Sequence, residues 1–499
     1  MIFKGAFPQA RARTHTHTRA LFFLSPSLTH THTVRIMVSS VDASLKQLVV
    51  TIYLPYFCIA IGRSGYALLV PLFLRYEYHS TDVFIGFCQT LSAATGLLVS
   101  YKLGQSVAWC GIKRSLQIST FVFILAFCSA TFFHSDKLFL ITSVVYGVAE
   151  PSQFLPHHTF LSAYVRNNLR GKTNSCSGGT FRIASIFGPM ITAKFIELLG
   201  ARLSFFCLCP SMFVSFLLYF FCYPDELDKE RKRRKREEDE GHAIELSVVA
   251  NEDPAHTATS HAQDDEEKEG NAVGERLIME KRVAVMELLY DFRREYSSIG
   301  IFIFLLNCIR EGRTLMIPLT GLSNGLTTFE IATCVSAGYG SGASMFPVSG
   351  YIMDNFGRRR NAMAAVVGMG CGFLLMSFVG GLAGLLLSSI VLGCSNGLSS
   401  GLQMTLGADT APNDNRRSPY LGVYNMLGSI GKVLGPLGAG LLSFLFGAKL
   451  GALALSIVCI LAALWIFKCV DETLVKPQKA KQDTDAETDG QNNKKEERI

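Results

Sequence analysis

Arg63, Glu150, Arg182, Arg313 and Lys432 stand inside long apolar stretches of a chain in which only 17% of residues are charged, and Arg310 and Glu311 accompany Arg313. A charge at the centre of a bilayer costs about 2.5 to 3.5 kcal/mol on insertion scales, so five facing lipid would cost on the order of 15 kcal/mol. Such groups must face a cavity or one another. Arg182 lies 12 residues past Arg170 and Lys432 lies 15 past Arg417; at 1.5 Å per residue both reach mid-membrane. They are expected to line one cavity from opposite sides. Glu150 is the acid nearest the middle of the first half and the first candidate to exchange a proton. Cations outnumber acids in this set, which points to an anionic or carboxylate-bearing solute. For any single member, a structural ion pair is an equal reading.

The elements that position these residues follow from hydropathy. Of 499 residues 49% are hydrophobic, and the mean hydropathy is +0.29. A bilayer core of about 30 Å needs about 20 apolar residues in a helix. Windows of that size occur near Leu48 to Leu74, Val83 to Tyr101, Leu116 to Phe133, Leu138 to Tyr164, Cys176 to Leu199 and Leu203 to Phe221. After a polar stretch come Ile299 to Leu319, Ile331 to Met353, Ala362 to Val379, Leu382 to Leu406, Tyr420 to Phe446 and Leu450 to Val470. The fold class is therefore an all-α membrane protein with twelve transmembrane helices.

The chain divides into a low-complexity segment over 1–46, a six-helix bundle over 47–223, a charged linker over 224–298, a second six-helix bundle over 299–473 and a polar tail over 474–499. The Thr-His alternation at 14–18 and 29–33 belongs to the first segment; it reads as a transit peptide, a metal-binding tract or an upstream extension of a chain starting at Met37. In the linker, Leu277, Val283, Met286 and Leu289 among charges suggest an interfacial amphipathic helix. Basic residues fall on alternate connections: Lys102, Lys113 and Arg114; Arg166, Arg170 and Lys172; Lys229 to Arg236; Arg358 to Arg360; Arg416 and Arg417. Short cytoplasmic loops are enriched in Lys and Arg, so both termini and the central loop are expected to be cytoplasmic.

Several function classes are excluded. The sequence holds no catalytic triad, no glycine-rich phosphate loop ahead of Lys-Ser/Thr and no metal-ligand spacing, so neither an enzyme nor an ATP-driven pump is expected. No cofactor, metal or nucleic-acid partner is implied. The 14 cysteines sit mostly in apolar windows, where a thiol is a small hydrophobe. His157 and His158 read as packed or interfacial residues, and Gln89, Asn307 and Asn396 as polar lining or interhelical hydrogen bonds.

The halves repeat one another. Cys58 to Arg63 matches Cys308 to Arg313 at an offset of 250; Gly104 and Gly111 match Gly350 and Gly357 at 246; Gly188-Pro189 matches Gly435-Pro436 at 247. Six spans duplicated in this way are a common transporter plan. The run Gly350, Asp354, Gly357, Arg358, Arg359, Arg360 resembles the signature loop of the major facilitator superfamily, with Ala108 where the family's first copy usually has Asp. The Gly178 to Pro189 and Gly428 to Gly440 stretches, with Gly188, Pro189, Gly431, Gly435 and Pro436, are similar to the Gly-Pro helix motif of its drug/proton antiporters.

The resemblance covers Gln47 to Thr473 and implies two bundles related by pseudo-two-fold symmetry, working as a monomer by alternating access on a small solute, with protons as coupling ion. The loop is expected to form a gating latch, in which Gly350 admits close helix approach, Gly357 a tight turn, and Asp354 either pairs with Arg358 or another loop arginine or sits at the positive end of a helix dipole; a plain positive-inside anchor is the rival reading. A lipophilic drug exporter and a non-transporting membrane sensor are the rival readings.

Overall fold

The computed structural model describes residues 49–164, 167–223, 287–412 and 416–473, all of which belong to one compact unit. Among them every regular element is helical. The first half comprises α1 (Leu54–Tyr78, led in by a π turn at Val49–Tyr53), α2 (Asp82–Cys110), α3 (Ile112–Phe132), α4 (Asp136–Tyr164), α5 (Asn167–Leu199) and α6 (Ala201–Cys222). The second comprises α7 (Ile301–Ser323), α8 (Thr328–Asn355), α9 (Arg358–Phe378), α10 (Gly381–Leu398) and the helix Arg417–Cys469. The last divides at Gly447, whose φ of 80° and ψ of 159° are not helical, into α11 (417–446) and α12 (448–469). The segment 1–46, residues 224–286 of the linker and the tail 474–499 lie outside the described residues, as do Arg166 and most of the expected amphipathic helix.

The helices outrun the apolar windows by a few residues at their polar ends, since a helix does not stop at the hydrocarbon boundary. Eight helical stretches among the described residues are long and apolar enough to cross a bilayer, one of them covering both α11 and α12. Helices α5, α7 and α8 fall short of that measure. They carry Arg182, then Arg310, Glu311 and Arg313, then Tyr339 and several serines. Polar lining lowers their mean hydropathy without changing their length.

Turns record the duplication more faithfully than the helices do. Left-handed or positive-φ positions recur in pairs: His79 and Gly325, Gly111 and Gly357, Gly200 and Gly447. Their spacings of 246, 246 and 247 agree with the sequence repeat. The caps repeat as well: the Thr81 hydroxyl accepts from Phe84 N and the Thr327 hydroxyl from Glu330 N, satisfying otherwise unpaired donors at the helix starts. A side chain at Gly357 would face both a φ of 105° and the Glu472 carboxylate, whose Oε2 would lie 2.2 Å from the added Cβ.

Packing within each half follows the same plan. Helix α1 packs on α5 and α6, α2 on α4, and α3 on α4 and α6; correspondingly α7 packs on α11, α8 on α10, and α9 on α10 and α12. The halves meet along α2 with α11 and α5 with α8, two contacts exchanged by the pseudo-two-fold. Lys113 and Arg114 at the start of α3, and Arg358 to Arg360 at the start of α9, share one end of the molecule, called here the basic end. At the other end Leu68, Leu72, Ala193, Ile331 and Ala332 form a buried apolar cluster spanning both halves.

Candidate functional site: a charged cavity between the halves

A cavity of about 410 Å3 lies between the two halves, beside that apolar cluster along α1, where Ala67 and Val70 line the cavity and Leu68 and Leu72 belong to the cluster. Its charged lining is Arg63 from α1, Glu150 from α4, Arg310, Glu311 and Arg313 from α7, and Lys432 from α11. Tyr66, Tyr146, Phe181 and Tyr339 supply aromatic walls, and Gln89 and Asn396 face in with Asn307.

The charges are distributed unevenly. Arg63, with 13% of its side chain exposed, is ion-paired to Glu150, and its guanidinium stands 5.4 Å from the Phe181 ring centre. Arg310 Nε donates to Asn396 Oδ1 at 2.9 Å. Arg313 is only 7% exposed, and its Nε is buried without a hydrogen-bond partner. Neither Glu311 nor Lys432 makes a hydrogen bond or ion pair among the described residues. The cation of the first half is thus neutralised locally, whereas the second half presents Arg310, Arg313 and Lys432 against one acid. At the nearly dry Arg313 a charge acts at low effective dielectric, and an unpaired cation there favours an anionic partner.

Glycine contacts define the register of these helices. A Cβ at Gly188 would lie 2.5 Å from the Ile61 carbonyl, and one at Gly435 would lie 2.7 Å from the Cys308 carbonyl. Both the glycines and the carbonyls are 247 residues apart. In this register Arg63 corresponds to Arg310, Ser64 to Glu311 and Tyr66 to Arg313. The Cys-to-Arg match at 250 is therefore displaced by three residues, close to one helical turn, and Arg313 has no arginine counterpart in the first half. Gly431 completes the seam, since its Cβ would lie 2.3 Å from the Phe304 carbonyl. Pro189 and Pro436 are accommodated within α5 and α11.

Arg182 departs from expectation. Its guanidinium does not line the cavity. It crosses from α5 to the second half, where it donates to Gly342 O at 3.3 Å and to the Ser400 hydroxyl, and stands 5.3 Å from the Phe346 ring centre. Depth along the helix was legible, but azimuth was not. Its target is a break: α10 ends at Leu398, Gly401 adopts φ 76°, and helix resumes over Leu402–Thr410. The freed Leu398 carbonyl accepts from Ser349 Oγ at 2.5 Å and from Asn361 Nδ2 at 2.8 Å. Irregular backbone at membrane depth is tolerated where neighbouring helices satisfy it.

The signature loop also differs from its expected form. Arg358 pairs not with Asp354 but with Asp409, at 2.9 Å, on the segment after α10. Asp354 is exposed and makes no ion pair among the described residues. Glu472 accepts from the backbone N–H groups of Arg358 and Arg359 at 2.8 and 3.2 Å, placing a carboxylate on the start of α9. Gly350 has nothing within 4 Å of where its Cβ would be, so it serves no close approach here. Asp409 and Glu472 were not singled out from the sequence, because their distance along the chain from Arg358 carries no periodic signal. His157 is buried, hydrogen-bonded to Ser177 Oγ at 2.8 Å and stacked on Tyr56 at 4.3 Å.

The Major Facilitator Superfamily model matches residues 52–420. Among solved structures, the fold is similar to that of the nucleoside transporter NupG, with a TM-score of 0.63 at 12% identity, covering 85% of this chain and 100% of that one. It is similar to tetrameric PepTSo2, with a TM-score of 0.63 at 14% identity, covering 85% and 98%. It is also similar to a peptide transporter POT in complex with sulfate, with a TM-score of 0.59 at 12% identity, covering 87% and 98%. At these identities the likeness is one of fold. No curated protein matches the chain.

Proposed function

The chain belongs to the Major Facilitator Superfamily, and from that premise we propose that this multi-pass secondary transporter moves a small anionic or carboxylate-bearing organic solute. The observation that carries the reading is the unpaired Arg313 and Lys432 in the cavity between the halves. A cavity of about 410 Å3 suits a metabolite-sized ligand. The solute's anion lies against the second half, between Arg313 and Lys432, and its body against the aromatic wall. Asn396, held by Arg310, orients it.

Protons couple through the cavity carboxylates. Protonation of Glu150 discharges the pair with Arg63 and frees that cation for the solute, while Glu311 stands among Arg310, Arg313 and Lys432 and makes no ion pair among the described residues. The basic loops orient both termini and the central loop toward the cytoplasm. In that orientation the apolar cluster lies on the outward side of the cavity, and the two bundles, 47–223 and 299–473, rock around it to alternate its access. A monomer contains the whole pathway, and the signature loop around Asp354 and Arg358 sets the balance between states.

Uptake into proteoliposomes tests this. Monocarboxylates, dicarboxylates and phosphorylated solutes, with and without an inward proton gradient, are compared with neutral nucleosides and lipophilic cations. Anionic solutes should be taken up, several-fold faster with the gradient, and Lys432→Gln should reduce that uptake by roughly tenfold, the loss of one charge-assisted contact. Uptake confined to lipophilic cations would overturn the anion reading in favour of drug export. Equal uptake with and without the gradient would remove proton coupling.

A further inference from the structure

A second concavity, unrelated to the transport path, runs along the outer surface between α9 and α12, with a volume of about 340 Å3 and an apolar lining. Its floor exists because Gly370 has no side chain: a Cβ there would lie 3.2 Å from that of Cys459. Its walls are two stripes. On α9 these are Met363, Val367, Cys371 and Leu374, and on α12 Ile460, Leu464 and Phe467.

Both stripes end in a cation at the basic end. Arg360 precedes Met363 by three residues and Val367 by seven, so it continues the α9 stripe by one turn. Lys468 follows Leu464 by four and Ile460 by eight, and continues the α12 stripe likewise. Both side chains are exposed, and neither makes an ion pair or hydrogen bond among the described residues. The neighbouring cations are occupied. Arg358 is paired with Asp409, and Arg359 donates to the Phe467 carbonyl with its guanidinium 5.4 Å from the Phe467 ring centre. The start of α9 already holds the Glu472 carboxylate.

We propose that this groove is a binding site for one anionic phospholipid, with an acyl chain between α9 and α12 and the phosphate between Arg360 and Lys468. An acyl chain gains little from a groove over bulk lipid, because both are equally apolar. Selectivity therefore resides in the headgroup, where each nearby cation attracts an anionic lipid at the membrane surface. A second copy of the chain suits the groove poorly, since a symmetric contact across this face would bring like charges together. The polar tail 474–499 offers no apolar run to fill it.

Native mass spectrometry of the full chain, released from micelles containing equal amounts of phosphatidylglycerol and phosphatidylcholine with identical acyl chains, tests the site. One phosphatidylglycerol should be retained with a preference of at least about tenfold, as two headgroup cations would provide. R360Q/K468Q should bring that preference to about twofold or less without lowering the melting temperature. K102Q/R114Q, which removes surface cations of the other half, should leave it intact. Ala463→Phe, which fills the groove, should reduce retention of both lipids. Equal retention by the wild type, a preference that survives R360Q/K468Q, full retention in Ala463→Phe, or dimers in place of lipid adducts would each overturn the proposal.

Discussion

Arg63 and Lys432 carry the same charge into the same cavity, yet their surroundings assign them different work. Arg63 is largely buried and ion-paired to Glu150, whereas Lys432 is exposed in the cavity and makes no ion pair among the described residues. Removing one partner of a buried pair strands the other, at about 3 to 5 kcal/mol when both are dry. Glu150 keeps 48% of its side chain exposed, so about 1 to 2 kcal/mol is the appropriate expectation. Glu150→Gln should lower the melting temperature by several degrees, and Arg63→Gln with Glu150→Gln should recover most of it. Lys432→Gln should leave melting unchanged. A thermal-shift comparison of the three variants checks this; an additive rather than compensating double variant would mean that the pair is not a structural unit.

At the scale of the element, the interrupted α10 is the feature that helix periodicity does not announce. Its Leu398 carbonyl is satisfied from α8 and α9, and Arg182 reaches the Ser400 hydroxyl from the opposite half. A bond between the two halves must break or re-form as they rock, so it biases the equilibrium between states rather than the affinity of either. Arg182→Gln should therefore change the maximal uptake rate about three- to tenfold, the effect of roughly 1 kcal/mol, with KM within about twofold. Arg182→Lys should resemble it, because a single ammonium does not reproduce the guanidinium fork. Initial-rate kinetics distinguish the cases, and a large KM change at constant maximal rate would place Arg182 in solute binding instead.

For the whole molecule, the crossing of α2 with α11 at the end opposite the basic loops is a close one, marked by two glycines and one hydrogen bond. A Cβ at Gly86 would lie 2.5 Å from the Pro436 carbonyl and one at Gly440 2.5 Å from the Asp82 carbonyl, while Ser443 Oγ donates to Asp82 Oδ2 at 2.6 Å. A bulky residue at Gly86 meets backbone, which does not yield as a flexible side chain would. Gly86→Leu should wedge α2 from α11 and populate the state open at that end. Leu72, wholly buried in the apolar cluster, provides the reporter. A membrane-impermeant thiol reagent should modify Leu72→Cys several-fold faster in the Gly86→Leu background, measured above the labelling of the native cysteines. Unchanged labelling would show that closure does not depend on this crossing.

The sequence alone determined the architecture, because hydropathy, loop charge and the repeated glycines are local or periodic signals. Span count, the paired turns at Gly111 and Gly357, and the close seams at Gly188 and Gly435 were all legible in that way. It also marked the charged residues that cannot face lipid. Tertiary structure decided their partners. The azimuth of a side chain in a long helix depends on packing of the whole helix, so Arg182 turned out of the cavity while Arg310 and Glu311 turned in. The alignment of α1 with α7 slipped by a turn for a related reason: short Cys-Gly-Arg similarity outweighed a register that only the carbonyls of Ile61 and Cys308 against glycine reveal. Asp409 and Glu472 meet Arg358 from far along the chain, and no spacing rule connects residues brought together only by the closing of a bundle.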